Sequence, residues 1–254
     1  MTMAAPEKRI AMVTGAARGI GRALSVGMAE AGFDLIVCDI PSQKEPLQET
    51  VDLVKKTGVK VVSVVGDVSN KDDVQRMASD AESKAGRIDI LVNNAGILAP
   101  STLQELSEDV WDAHMAVNAK GTLLMMQAVL PGMQERKWGR IINIASLAGR
   151  QGIPTQGHYA ASKSAVITLT RVLAQEVGDH GITVNAICPG IILTEMGRKN
   201  LGTEDDVRYW EKATSLKRLG RPEDVVGPAV FFASDQSAFV TGQSLNVCGG
   251  LYFH

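Results

Sequence analysis

Seven short runs rich in Val and Ile recur along this chain, separated by longer amphipathic stretches. They are IAMVT (10–14), DLIVCD (34–39), KVVSVV (60–65), IDILV (88–92), RIINIA (140–145), ITVNAI (182–187) and SLNV (244–247). Most lack the alternation of a half-solvated strand and are apolar throughout, the pattern of strands buried on both faces of a parallel sheet. The stretches 19–31, 43–57, 72–85, 108–136 and 160–178 read as helices. Gly32 and Gly58 follow the first two as C-terminal stops, and Ser69 with Asp72 three residues on reads as a capping box opening the third. Strand–helix alternation from end to end predicts an α/β fold, a doubly wound Rossmann-type parallel seven-stranded sheet flanked by helices. It is expected to form a single domain over 1–254. The irregular stretch 188–222, mixing Gly, Pro and charges, reads as a substrate-loop insertion over one edge.

With 26 basic and 28 acidic residues the net charge is -2, which argues against a nucleic-acid partner, since a phosphate-backbone binder carries a basic surplus. Cys38, Cys188 and Cys248 each lie in an apolar segment and read as buried free thiols of a reducing compartment. The start MTMAAPEKRI lacks the apolar stretch of a signal peptide, and no run reaches the ~18 apolar residues of a membrane span. A cytoplasmic protein with no membrane partner is expected.

The first predicted strand runs into Thr14-Gly15-Ala16-Ala17-Arg18-Gly19-Ile20-Gly21. Glycines at this point let backbone N–H groups approach a pyrophosphate, and the following helix N-terminus favours its charge. Asp39 ends the second predicted strand. A carboxylate there accepts hydrogen bonds from an adenosine ribose and repels a 2′-phosphate, so NAD is expected over NADP. Arg18 pulls the other way, because a guanidinium beside the turn suits a 2′-phosphate.

Tyr159-Ala160-Ala161-Ser162-Lys163 places a phenol and an ammonium on one helix face. With a free pKa of ~10, a tyrosine is phenolate in only about one molecule in a thousand at pH 7. Lowering that pKa by two to three units takes ~3–4 kcal/mol of preference for the anion, which a nearby Lys and a cationic nicotinamide can supply. Ser146 lies 13 residues before Tyr159, at the end of a predicted strand.

With these motifs in place the chain resembles the classical short-chain dehydrogenase/reductase family. The resemblance runs from about Lys8 to Phe253 and rests on TGAARGIG (14–21), Asp67-Val68, NNAG (93–96), Asn118, Ser146, YAASK (159–163), PGIILT (189–194), RLGRPEDV (218–225) and VTGQSLNVCGG (240–250). It implies that Tyr159 is the general acid/base, that Lys163 lowers its pKa and holds the nicotinamide ribose, and that Ser146 orients the substrate oxygen. It further implies that Asn118 interrupts its helix and holds a water on a proton path towards Lys163. Gly15, Arg18, Gly19, Ile20 and Gly21 would form the phosphate turn, Asp67 and Val68 line the adenine, and Asn94 sit beside its ribose. Ile192 and Thr194 would contact the carboxamide.

The first reading is an NAD-dependent oxidoreductase of a secondary alcohol or ketone, of the polyol, sugar or cyclic alcohol class. Its rival is an NADP-dependent 3-oxoacyl-[acyl-carrier-protein] reductase, for which Arg150, Arg198 and Lys199 would form a basic patch towards an acidic carrier. A non-catalytic dinucleotide-sensing protein is the reading from another class, opposed by the presence together of Asn118, Ser146, Tyr159 and Lys163. Ile97 to Pro100, Leu147, Gln151, Gln156, His158 and 191–215 are the expected substrate contacts, with His158 at the pocket entrance. Asn93 reads as structural, Met125 and Met126 as core or interface, and Lys55-Lys56 and Glu204-Asp205-Asp206 as solvated faces. No metal is expected, since the four His residues show no ligand spacing. The resemblance also implies a homotetramer packed through 108–136 and 160–178.

Overall fold

The computed structural model describes residues 8–253; the stretch MTMAAPE, part of the start read above as lacking a signal peptide, lies outside them. Seven parallel strands form one sheet: β1 (Ile10–Thr14), β2 (Asp34–Asp39), β3 (Val61–Val65), β4 (Ile90–Asn93), β5 (Gly139–Ile144), β6 (Ile182–Pro189) and β7 (Ser244–Val247). Their order is β3-β2-β1-β4-β5-β6-β7, so the chain reverses direction of travel between β1 and β4. Every residue of β1, β4, β5 and β6 is buried, in keeping with their largely apolar sequences, and Arg140, Asn143, Thr183 and Asn185 are buried among them.

Helices cover both faces: α1 (Gly19–Glu30), α2 (Lys44–Lys55), α3 (Lys71–Ala85), α4 (Glu108–His114), α5 (Gly121–Arg136), α6 (Ala148–Gln151), α7 (Gly157–Glu176), α8 (Glu195–Leu201), α9 (Glu204–Ala213) and α10 (Val226–Ala233). One core cluster gathers Val13, Leu24, Met28, Leu35, Ile142 and Phe232, and the other Met12, Ile36, Met77, Leu91, Met125 and Met126. These are the two sides of one sheet, since neighbouring residues of β1 point to opposite faces. Gly32 (φ +95) and Gly58 (φ +84) take the left-handed conformation expected of helix stops.

Several sequence-based boundaries shift for identifiable reasons. The third helix is capped by Asn70, whose side chain accepts the N–H groups of Asp72 and Asp73, while Ser69 donates from its N–H and Oγ to Asp67. The expected capping box of Ser69 and Asp72 is therefore replaced by an adjacent cap. The helical stretch expected over 108–136 is divided by a π-helical segment, Met115–Lys120, which holds Asn118, the residue expected to interrupt it. Glu204-Asp205-Asp206 is the first turn of α9, where Thr203 and Asp206 form a reciprocal capping box and the acids suit the helix dipole. Cys38 and Cys188 are buried free thiols as expected, but Cys248 is only half-buried. The segment after β6 does hold two helices, α8 and α9, closed by pairing of Ile192 with Gly220. Among the described residues no helix is long and apolar enough to cross a membrane, and no cluster of His, Cys, Asp or Glu has metal-site geometry.

At the edge opposite the strand carboxyl ends, Asp89 is fully buried and accepts the Ile10 N–H at 3.0 Å and Arg87 Nε at 2.9 Å. Arg9 and Arg136 lie 3.7 and 3.8 Å away. Removing one member of a buried pair leaves the other charge uncompensated, at about 3–5 kcal/mol. Asp89→Ala is expected to lower unfolding free energy by roughly that much in urea titrations, while the protein that remains folded keeps its specific activity.

Candidate active site

The carboxyl ends of β1, β4 and β5 bring together most of the residues singled out from the sequence. Beyond Thr14 the chain turns through Gly15 (φ +63) and Gly19 (φ +55), left-handed backbone that a side chain would strain. A Cβ on Gly21 would overlap the Gly15 carbonyl, and one on Gly15 would lie 2.9 Å from Ala95 Cα. The turn is thus lined by backbone and leads into α1, whose N-terminus has no side-chain cap. Thr14 Oγ1 accepts the N–H groups of Asn94 and Ala95 at 2.9 and 3.0 Å, and Asn94 Nδ2 donates to the carbonyls of Thr14 and Gly15 at 2.9 and 3.1 Å. Ile20 packs against the core beneath. This cradle and helix terminus fit a dinucleotide pyrophosphate.

Asp39 stands at the end of β2, where its carboxylate accepts the N–H groups of Ala17 and Ile40, both at 2.9 Å. Arg18 is exposed and bonded to Glu195 on α8 at 2.7 Å. Lys199 binds the same glutamate at 2.9 Å, and the two cations hold the Glu195 carboxyl below its usual range. Asp67 accepts Ser69, and Val68 is buried against Gly121, where a Cβ would lie 2.9 Å from Val68 Cγ2.

The chemistry-bearing side chains meet beside this turn. Tyr159 and Lys163 lie one turn apart on α7, with Lys163 Nζ 5.8 Å from the Tyr159 ring centroid and donating to the Ile144 carbonyl at 2.8 Å. Ser146, just past β5, hydrogen-bonds the Tyr159 phenol and accepts the Ala148 N–H at 3.1 Å. Burial pushes the phenol above its ordinary range, Ser146 pulls it down, and the Cys188 thiol adds to the rise. The protein's own groups therefore do not produce the lowered phenol expected from sequence; the low dielectric outweighs them. Burial also brings the Lys163 ammonium down to about 8.

Asn118 is fully buried in the π-helical segment. Its Nδ2 donates to Ile97 O at 3.1 Å and Ser162 Oγ at 3.0 Å, while Oδ1 accepts the Ile97 N–H at 2.8 Å. Ser162 Oγ in turn donates to the Tyr159 carbonyl at 2.7 Å. The Asn118 side chain thus ties the loop after β4 to the helix of Tyr159.

Other expectations are corrected by burial. Ile192 is a core residue, so only its backbone is free to meet a ligand, and Leu147 is likewise withdrawn at 2% exposure. Thr194 caps α8 through Oγ1, and its methyl group closes against Gly19. Arg150 turns inward, bonding the Ser244 carbonyl and the Cys188 thiol, and so leaves the proposed basic patch to Arg198 and Lys199. Asn93 donates to Asn143 at 2.9 Å inside the sheet, the structural role expected. His114 and Cys188 approach the site without any local motif that marks them.

Comparison with known proteins agrees with this architecture. Residues 15–252 match a family model described as Enoyl-(Acyl carrier protein) reductase. The chain is 37% identical over 242 residues to 3-oxoacyl-[acyl-carrier-protein] reductase FabG of Staphylococcus epidermidis, covering 95% of this chain and 98% of that one. It is 42% identical over 244 residues to (2S)-[(R)-hydroxy(phenyl)methyl]succinyl-CoA dehydrogenase subunit BbsD of Thauera aromatica, covering 96% of each. The crystal structure of levodione reductase superposes with a TM-score of 0.92 at 31% identity, covering 95% of this chain and 96% of that one.

The buried lysine carries a stability cost with a definite pH dependence. Between pH 8 and its ordinary value of 10.5, Lys163 is protonated in the unfolded chain and deprotonated in the folded one. The deficit, about 3 kcal/mol for a shift of that size, is full below pH 8 and relieved as pH rises towards 10.5. Lys163→Met is expected to be inactive yet about 1–2 kcal/mol more stable than wild type at pH 7, with the gain shrinking by pH 10. Urea unfolding at the two pH values measures it.

Proposed function

Because the chain belongs to the short-chain dehydrogenase/reductase family, we propose that this oxidoreductase of CH–OH donors interconverts a 3-hydroxyacyl and a 3-oxoacyl thioester using NAD(H). The observation that carries the reading is the meeting of Ser146, Tyr159 and Lys163 beside the glycine turn. The substrate class is supported by the relatives' names, which join a ketone or secondary alcohol to an acyl thioester in both FabG and BbsD. The polyol, sugar or cyclic alcohol class favoured by the sequence reading has weaker support, chiefly the resemblance to levodione reductase.

The roles follow from chemistry. Bound nicotinamide supplies the hydride, and the protein contributes alignment and a proton. Gly15, Gly19, Ile20 and Gly21 receive the pyrophosphate on backbone amides, with Arg18 at the rim. Asp67, Val68 and Asn94 border the adenosine, and the backbone of Ile192 with Thr194 borders the carboxamide. Ser146 donates to the ketone oxygen and orients it towards Tyr159, whose phenol gives that oxygen its proton in reduction and takes it back in oxidation. Lys163 holds the nicotinamide ribose and, as an ammonium beside the phenol, favours the phenolate that oxidation requires. Asn118 keeps the loop and α7 in register around them, and its main chain remains the candidate for the water on the proton path.

Asp39 supports NAD(H). A carboxylate at the end of β2 favours an adenosine ribose over a 2′-phosphate, and Glu195 offers the Arg18 guanidinium a partner other than a 2′-phosphate. A cytoplasmic homotetramer completes the reading, with α5 and α7 as contact surfaces; Val172 on α7 is 44% exposed.

Two measurements test this. Acetoacetyl-CoA reduction with NADH and NADPH in parallel is expected to favour NADH, with Asp39→Ala narrowing the ratio of kcat/KM at least about tenfold. A wild-type preference for NADPH would overturn the cofactor assignment, and turnover of cyclic alcohols or polyols alone would overturn the thioester. Tyr159→Phe is expected to lower kcat by about a thousandfold or more with NADH affinity unchanged. A variant keeping a tenth of the wild-type rate would overturn the acid/base role.

A further inference from the structure

Two buried histidines that the chemistry above does not use grip the N–H and the carbonyl of one residue, Ala99, beside the site. His114 ends α4 and His158 immediately precedes Tyr159 on α7; they are 1% and 0% exposed. Their rings meet edge to face with centroids 4.2 Å apart. His114 Nε2 accepts the Ala99 N–H at 3.1 Å, which places its proton on Nδ1, the donor to Val110 O at 2.6 Å. Burial holds the His114 imidazole below its usual range, in keeping with an acceptor at Nε2. His158 Nε2 donates to Ala99 O at 2.8 Å. Its Nδ1 is then a buried acceptor with no hydrogen-bond partner among the described residues. Burying a polar atom in that state carries a cost, which an apolar side chain of similar size would avoid. The bond from Nε2 is what the imidazole provides there in return.

The gripped backbone belongs to a segment that borders the reacting groups. Gly96, at its start, passes so close that a Cβ would sit 3.4 Å from Lys163 Nζ. Asn118 holds both polar groups of Ile97, and Ser101 donates to Thr155 O at 2.8 Å. Alternate residues 97, 99 and 101 are thus tied to the elements behind, with Leu98 and Pro100 between them. Ala99 itself is exposed, although both of its peptide groups are held by buried rings.

We propose that His114 and His158 are positioning residues that clamp the backbone on both sides of Ala99. Through it they set the wall against which the acyl substrate is aligned on Ser146 and Tyr159. The clamp stands on geometry alone; only the identity of the substrate rests on the thioester reading.

Glutamine carries its terminal amide to the region of a histidine's Nε2, whereas asparagine reaches only as far as Nδ1. His158→Gln therefore keeps a donor to Ala99 O and His114→Gln an acceptor for Ala99 N–H, and the Asn variants lose them. In the full-length protein at saturating NADH, each Asn variant is expected to raise KM for acetoacetyl-CoA about tenfold, with kcat within about threefold. NADH affinity, from fluorescence titration, is expected to stay within about twofold, and each Gln variant to restore KM to within about threefold of wild type. Amide exchange of peptides spanning 97–103 is expected to accelerate in the Asn variants and not in the Gln variants. Equal KM and equal exchange in the Asn and Gln variants would overturn the clamp. So would a loss confined to kcat or NADH affinity. The two positions give independent pairs, so a variant that fails to fold leaves the other pair to decide. If the wild type turns over no thioester, the function proposed above fails, and the exchange comparison alone upholds or overturns the clamp.

Discussion

The reversal of strand order between β1 and β4 is the constraint on which the site depends. Where neighbouring parallel strands send their connections in opposite directions, a crevice opens beyond their carboxyl ends. That crevice would expose the backbone of both strand ends unless other groups satisfied it. Thr14 Oγ1 and Asn94 Nδ2 do so reciprocally, stitching the end of β1 to the loop after β4 with four hydrogen bonds. The glycine turn, Asp39 and the loop carrying Ile97 and Ala99 are all placed relative to that seam. Two of the most polar residues of the glycine turn and NNAG motifs thus serve the scaffold that presents a ligand as much as the ligand itself.

What the sequence made legible was what repeats locally. Short runs rich in Val and Ile identified all seven strands, most plainly β1 and β4, where burial on both faces favours apolar residues. The glycine turn and the spacing of Tyr159 and Lys163 were equally plain, since each is a short-range geometric demand. Hidden features depended on partners far away in the chain. Asn70 outcompeted Ser69 as a cap because Asp67 engaged the serine. Ile192 and Arg150 turned inward for reasons that lie near Gly220 and Ser244. His114 finds its partners 15 residues away at Ala99 and across the fold at His158, and no single-residue pattern announces such a contact.

The site also shows how a folded protein accommodates groups that folding alone would exclude. Lys163 and Tyr159 sit in surroundings that penalise their charged forms. The lysine is steadied by the Ile144 carbonyl, to which its ammonium donates. Stability comes from elsewhere, from the two packed faces of the sheet and from the arginines around Asp89 at its far edge. Anchorage at one end of the strands and reactivity at the other are spatially separate, so the two can vary independently.

The π-helical segment between α4 and α5 acts as a change of phase. A widened turn accommodates about one residue more than an α-helical turn, so the side chains after it lie about 100° around the axis from where an unbroken helix would put them. Before it, His114 points to the active-site loop; after it, Met125, Met126, Val129 and Met133 face the core. One rod can thus serve two clients whose directions no single helical period would reconcile. A deletion of one residue there would leave either half intact as a helix, yet would aim one of them at the wrong neighbour.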